Sequence, residues 1–176
     1  MLTAAAVCFV LHGLVAILDG AYFHLHKYKL HTRPESVTEH FTHSVRAATM
    51  TASAYIFFVV SSAGWLLWIG IGIIAIDLIV ETWDVLIERA SRADLGGLSS
   101  AEYLSHAHAI LLYAAAYSMV LASKPRAAFS FDAPATLGSN PQWIQLIGWV
   151  VVVGAGISTV QHFWLLQPKY RESTSA

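Results

Sequence analysis

The chain has 176 residues, of which 56% are hydrophobic and only 12% are charged. Soluble domains carry about 25% charged residues, so this composition predicts an integral membrane protein. Its basic and acidic residues nearly balance, with a net charge of −1, which excludes the basic surplus that nucleic-acid binding needs. The single cysteine, Cys8, excludes an internal disulfide framework and a cysteine-rich zinc or iron–sulfur site.

The first apolar segments predict three transmembrane helices. Helix 1 runs from Leu2 to Leu25, and because it lacks a basic start and a cleavage pattern we interpret it as a retained helix. The uncharged run 47–76 is too long for one span and too short for two, which need about 40 residues. A small-residue break at 61–64 divides this run, so helix 2 begins near Thr38 and helix 3 continues to about Glu88.

Two further helices complete the predicted fold, helix 4 from Ser100 to Ser123 and helix 5 from Gln142 to Leu166. The sequence thus predicts an all-α integral membrane bundle of five transmembrane helices. It forms one domain over residues 1–170, with a short cytoplasmic tail at 171–176. Most lysines and arginines then lie on one side, which places the N-terminus outside and the C-terminus in the cytoplasm, in a bacterial inner membrane.

Helix 3 carries an acidic stripe at Asp77, Glu81, Asp84 and Glu88. This spacing keeps the four carboxylates within about 60° of the helix circumference and spreads them over about 16 Å. A carboxylate at the bilayer centre costs roughly 2.5–3.5 kcal/mol, so we expect these groups to pair, to line water or to bind a cation. The alternative is that the acids lie on an extension of the helix into water. This explains Glu88 better than it explains Asp77 and Glu81, which have apolar neighbours in the sequence.

Helices 2 and 4 begin with the same pattern, because residues 36–43 and 99–106 both read Ser-x-x-Glu-x-x-x-His. A capping box accounts for the serines and glutamates but leaves the two histidines without a structural reason. Helices 1 and 3, which precede the two copies, each carry an acid near the same end, Asp19 and Asp84. Helices 1–4 are therefore predicted to form a quasi-symmetric four-helix bundle with a rough twofold axis along the membrane normal.

Carboxylates and histidines that project into such a bundle are the ligands of a carboxylate-bridged dinuclear site. These ligands suit iron or manganese, with zinc also possible, so the predicted cofactor is two metal ions, most simply iron. On a regular helix His26 shares a face with Asp19, whereas His24 points about 160° away from His26 and is not expected to serve the same centre. Arg46 is expected to neutralise the acidic cluster. The predicted metal ligands are Asp19, His26, Glu39, His43, Glu81, Asp84, Glu88, Glu102, His106 and His162.

This ligand inventory resembles that of the ferritin-like di-iron carboxylate proteins, although those use Glu-x-x-His and this chain uses Glu-x-x-x-His. A wider pattern is similar to an uncharacterised family of small bacterial polytopic membrane proteins and covers about the first 120 residues. That resemblance implies no activity, but it implies that the matching positions form one constellation. They are Asp19 to His24, Arg33-Pro34, Glu39-x-x-x-His43-x-x-Arg46, Asp84-x-x-x-Glu88 and Glu102-x-x-x-His106.

We interpret the chain as a membrane-embedded dinuclear metal protein with its site at the cytoplasmic side. The expected activity is that of an oxidoreductase acting on a lipid, quinone or other apolar substrate. The sequence has no nucleotide-binding glycine motif, so a partner protein or the quinone pool would donate the electrons. The sequence leaves open whether the chain forms a homo-oligomer. The alternatives are a metal transport or storage subunit, a haem-binding subunit with axial histidines such as His43 and His106, and a non-catalytic subunit in which buried charges pair with each other.

Overall fold

A computed structural model describes residues 1–170, and the predicted tail at 171–176 lies outside the described residues. The described part is helical, and its only β-type pairing is an isolated bridge between Ser62 and Thr136. Two of the five long helices end in π-helical segments, in which backbone hydrogen bonds join residues five apart. The helices are α1 Leu2–Ile17 with its π segment Leu18–Lys27, α2 Val37–Ala54 with its π segment Tyr55–Val59, α3 Gly64–Ser91, α4 Ser100–Ser123 and α5 Gln142–Leu165.

Four segments are long and apolar enough to cross a membrane: Leu2–Lys27, Gly64–Ser91, Ser100–Ser123 and Gln142–Leu165. The predicted membrane environment is confirmed at this level. α2 is not among these segments because its first half is polar. A fifth transmembrane helix, formed by α2, therefore stays a prediction. α2 packs against both α3 and α5, and it buries Glu39, His40 and Thr42 inside the protein.

The predicted break at residues 61–64 is confirmed as the turn between α2 and α3. Gly64 adopts a left-handed φ of +53°, and a side chain there would collide with the backbone of Ala133. The loop that contains Ala133 is hydrogen-bonded to the turn, from Ala63 N to the Ala135 carbonyl at 2.8 Å and from Leu137 N to the Ser61 carbonyl at 3.0 Å. The loop before α5 is therefore fixed over the turn that joins α2 to α3.

The helices pair in a way that agrees with the rough twofold. α1 packs mainly against α4, while α2 packs against α3 and α5. Exchanging α1 with α3 and α2 with α4 converts the first of these pairs into the α2–α3 pair. A quasi-symmetric arrangement of the first four helices thus fits the observed contacts, and α5 packs outside it, mainly on α2.

Aromatic side chains fill the half of the bundle next to the α2–α3 turn. The rings of Phe9 and Phe58 stack at 4.0 Å, and Tyr117 packs edge-on against both. Inside a bilayer such rings stabilise the bundle by van der Waals packing between helices, since lipid is as apolar as the protein interior. We call this group, together with Phe57, the aromatic plug, because all four side chains are buried. The most deeply buried charged side chains, which are Asp19, Glu39, Asp77, Glu81, Asp84, Glu88, Arg92 and Glu102, lie outside this half.

Candidate metal centre

The first of two similar half-sites joins α1 to α4. Asp19, in the π segment, accepts a hydrogen bond from the Ser105 hydroxyl at 3.0 Å. Its Oδ1 also lies 3.0 Å from Nε2 of His106. Ser105 is held in place because its hydroxyl also reaches the Glu102 carbonyl one helical turn earlier, at 2.8 Å. We call Asp19, Ser105 and His106 the first half-site.

The second half-site repeats this arrangement between α3 and α2. The Thr42 hydroxyl donates to Asp84 and to the Glu39 carbonyl, and Nε2 of His43 lies 3.4 Å from Oδ2 of Asp84. In both copies of the repeat, the residue before the histidine carries a side-chain hydroxyl that donates to an aspartate of the neighbouring helix. The sequence carried this signal, and the prediction did not use it. Asp84, Thr42 and His43 form the second half-site.

Arg92 joins the glutamates of the two repeats. It lies just beyond α3, is fully buried, and places Nη2 2.8 Å from Oε1 of Glu39 and 2.7 Å from Oε1 of Glu102. Burial alone would lower the pKa of Arg92, but the hydrogen bond and charge of Glu39 and the charge of Glu102 raise it above its usual value. The guanidinium is therefore a permanent cation between α2 and α4. Neither glutamate depends on a metal ion for its main counter-charge.

His24 is the central histidine that the sequence prediction missed. Residues five apart on an α-helix lie about 140° from each other, which would turn His24 away from Asp19. The π segment changes this because it carries hydrogen bonds between residues five apart, as from Tyr28 N to the Phe23 carbonyl at 2.9 Å. Nε2 of His24 thus lies 3.5 Å from Oδ2 of Asp19. The expectation that His24 does not serve the centre holds only for a regular helix, and the π segment removes that condition.

The His24 ring lies between the two half-sites. Its centroid is 4.2 Å from that of His43 and 6.0 Å from that of His106. The side chain is 1% exposed, and neither ring nitrogen has a hydrogen-bond partner among residues 1–170. Two groups in the described chain bring at least three ligand atoms within metal-binding reach, and both contain His24: Asp19 with His24 and His106, and His24 with Glu39 and His43.

The deeper acids of α3 are paired with Arg46. Its guanidinium contacts Glu81, and its Nε lies 4.0 Å from Oδ1 of Asp77, which also accepts a hydrogen bond from Thr49. This pairing agrees with the expectation that Arg46 neutralises acidic groups. Glu88, one turn after the second half-site's aspartate, instead places Oε1 3.2 Å from Nδ1 of His106.

Two of the predicted histidine ligands lie apart from the cluster. His26 is exposed, and its ring stacks loosely on Tyr22 with centroids 6.1 Å apart. His162 is buried at the α2–α5 contact, where its carbonyl lies 3.2 Å from Nε2 of His40 and the two rings are 4.9 Å apart. The structure therefore brings His24 to the centre and leaves His26 and His162 outside both three-ligand groups.

The separations between the donor atoms fit metal coordination. Two atoms that each lie about 2.0–2.2 Å from one ion are about 3.0–3.5 Å apart. The distances from Asp19 to His24 and His106, and from Asp84 to His43, are 3.5, 3.0 and 3.4 Å. Nε2 of His43 and Oε2 of Glu102 are buried without a hydrogen-bond partner among the described residues. Each such unsatisfied group costs roughly 1–3 kcal/mol, which a bound cation would remove.

Comparisons with protein families, curated proteins and solved structures give no match. The functional proposal therefore rests on the geometry of the cluster.

Proposed function

We propose that the protein is a membrane metalloprotein whose dinuclear centre is shared between the two half-sites. The observation that carries this proposal is the convergence of carboxylates and imidazoles around His24, the one residue common to both three-ligand groups, whose two ring nitrogens have no hydrogen-bond partner among the described residues. Asp19 and His106 would hold one ion, and His43 with Asp84 or Glu39 the other. Glu102, whose Oε1 lies 3.9 Å from Nε2 of His24, could complete the centre, whereas Glu88 contacts Nδ1 of His106 and would orient that ring.

Mixed carboxylate and imidazole ligands suit iron or manganese, and zinc is the redox-inactive third choice. We propose iron, because a di-iron centre supplies the electron transfer that an oxidoreductase needs. The side chains of Asp19, His43 and His106 are 12–15% exposed, which leaves the centre open to a small reactant. The surrounding helices are apolar, which favours a lipid, quinone or other apolar substrate. By the distribution of lysines and arginines, we place the centre at the cytoplasmic side.

Two alternative functions are less well supported by the geometry. A transporter would need polar groups continuing through the bundle, but the stacked, buried rings of Phe9 and Phe58 in the aromatic plug interrupt such a path. A haem would need the space beside an axial histidine. Next to His24 that space holds the carboxylates of Asp19 and Glu102, at 3.5 and 3.9 Å from Nε2.

The alternative in which buried charges only pair with each other has specific support. Arg46 and Arg92 account for four carboxylates, and protonated histidines could balance the remaining ones. This alternative predicts a folded, metal-free protein. Metal content therefore decides between the two.

The first experiment measures the metal content of the detergent-purified protein by mass spectrometry, together with its visible spectrum. We expect about two iron or manganese ions per chain and no Soret band. His24→Ala should reduce metal binding by more than about 100-fold, because loss of a mere supporting residue already costs 10- to 100-fold. The matched control is His26→Ala, two residues away and exposed, which should keep the wild-type content. A folded wild type that binds neither iron nor manganese would overturn the proposal.

Redox activity is tested separately on the metal-loaded protein. After anaerobic reduction, exposure to oxygen should change the spectrum of the wild type and should consume a quinol supplied in detergent. A protein that holds two metal ions but shows neither response would keep the metal centre and exclude the oxidoreductase.

A further inference from the structure

A polar cavity lies at the end of the bundle remote from the candidate metal centre. It has a volume of about 130 Å³ and is enclosed by the start of α1, the α2–α3 turn, the end of α4 and the loop before α5. Its apolar wall includes Leu2, Phe57 and Val120. Its polar wall consists of Ser61, Ser62, Ser123, Lys124 and Asn140.

Lys124 is the one cation on this wall. Its ammonium group donates to the Ser62 carbonyl at 2.6 Å, and no carboxylate within residues 1–170 forms an ion pair with it. Burial lowers the pKa of Lys124 to about 8. The charge is thus partly removed from water without an anion to replace the lost solvation.

Ser62 is a second donor on the same wall. It is 1% exposed, and its hydroxyl has no hydrogen-bond partner among the described residues. Asn140 fixes the wall nearby, because its side-chain amide donates to the carbonyls of Phe57, Phe58 and Val60 at 3.0–3.1 Å. The cavity therefore offers a held ammonium group and an unused hydroxyl with space in front of them.

We propose that this cavity binds a phosphate group, with Lys124 as its counter-charge and the Ser62 hydroxyl as a hydrogen-bond donor. An ammonium and a hydroxyl are both donors, so the complementary ligand is an oxyanion. A phosphate fits the volume, and at the end of a membrane helix it comes from a phospholipid headgroup or from free phosphate. The proposal does not depend on the metal centre.

The test uses the full chain in a maltoside detergent and phosphate-free buffer. Thermal unfolding is followed while dioleoylphosphatidylglycerol or inorganic phosphate is added, and native mass spectrometry counts retained phospholipid. We expect one phospholipid per chain and a higher Tm with phosphatidylglycerol. A response to inorganic phosphate alone would assign the site to the free ion.

Lys124→Met should abolish the shift, whereas Arg126→Met removes an exposed cation two residues away and should keep it. Ser62→Ala should weaken binding about tenfold, the equivalent of one hydrogen bond, and it replaces Lys124→Met should that variant fail to fold. The proposal is overturned when neither phosphate source shifts the wild-type Tm, or when the shift survives both Lys124→Met and Ser62→Ala.

Discussion

The two half-sites share a sequence pattern but differ in their surroundings. In the first, both ring nitrogens of His106 face carboxylates, Asp19 at 3.0 Å and Glu88 at 3.2 Å. In the second, His43 lies 3.4 Å from Asp84, and its ring packs against that of His24 at 4.2 Å. One histidine is therefore enclosed by negative charge and the other by a second imidazole.

This difference comes from residues outside the repeat. Glu88 adds an acid to the first half-site, and the π segment adds His24 beside the second. Two carboxylates beside one imidazolium balance its charge, so the first half-site can be stable without a metal ion. Two adjacent imidazoles repel each other when both are protonated, because both then carry a positive charge. The second half-site consequently depends more strongly on a bound cation.

The largest expected effect on stability follows from removing Arg92, which joins the glutamates of the two repeats. Arg92→Met leaves Glu39 and Glu102 buried without their cation, which should lower the free energy of unfolding by about 3–5 kcal/mol. Unfolding in detergent, followed by circular dichroism, measures the change. The matched control, Arg89→Met, removes an exposed arginine of α3 and should change stability by less than about 0.5 kcal/mol. Adding Glu39→Gln and Glu102→Gln should restore much of the lost stability. A loss below about 1 kcal/mol in Arg92→Met would contradict the role of Arg92 as the buried counter-charge of both glutamates.

The next prediction compares the two histidines directly in protein stripped by a chelator. His106→Ala removes the ion pairs with Asp19 and Glu88, which leaves two buried carboxylates without that partner and should destabilise the metal-free protein by about 1.5–3 kcal/mol. His43→Ala removes a single contact with a carboxylate, that of Asp84 at 3.4 Å, and also relieves the contact with the His24 ring, so it should cost clearly less. After reloading, each variant should bind about one metal ion where the wild type binds two. Equal stability losses in the two metal-free variants would refute the proposed asymmetry.

A smaller effect is expected from the hydroxyls that orient the aspartates. Thr42→Val and Ser105→Ala should each weaken metal binding about 10- to 100-fold, as supporting residues of metal sites do. Thr42→Ser keeps the hydroxyl and should retain wild-type affinity, which separates the hydrogen bond from packing. Competition titration with a chromophoric chelator measures these constants. Unchanged affinity in Thr42→Val would show that Asp84 needs no orienting partner.

Much of the fold follows from the sequence. Hydropathy and the break at 61–64 predict the helices to within a few residues, and the repeated Ser-x-x-Glu-x-x-x-His pattern predicts that Asp19, Glu39 and His43 face Asp84, Glu102 and His106. The structure adds which partners meet, Asp19 with His106 and Asp84 with His43. These are consequences of helical period and burial, which a sequence displays directly. The contacts of α1 with α4 and of α2 with α3 agree with the same internal repeat.

Other parts of the site could not be predicted. His24 reaches the centre only through a π segment, and no periodicity in residues 18–27 distinguishes that winding from an α-helix. Arg92 lies in a short connection, where the direction of a side chain depends on how α3 and α4 are placed. Of the two capping boxes, only Ser99 accepts the expected hydrogen bond, from Glu102 N at 3.3 Å, whereas Ser36 does not cap α2.

The pairing of α1 with α4 also affects how the chain is made. Ser105 and His106 are synthesised almost ninety residues after Asp19, so at 5–20 residues per second the aspartate waits about 4–17 s for its partners. During that interval α1 has to remain at the membrane with an unpaired carboxylate near one end. Arg92 likewise is made before Glu102. The centre thus cannot assemble until α4 has been made, and a chain interrupted before α4 leaves the acids of α1 and α3 without these partners.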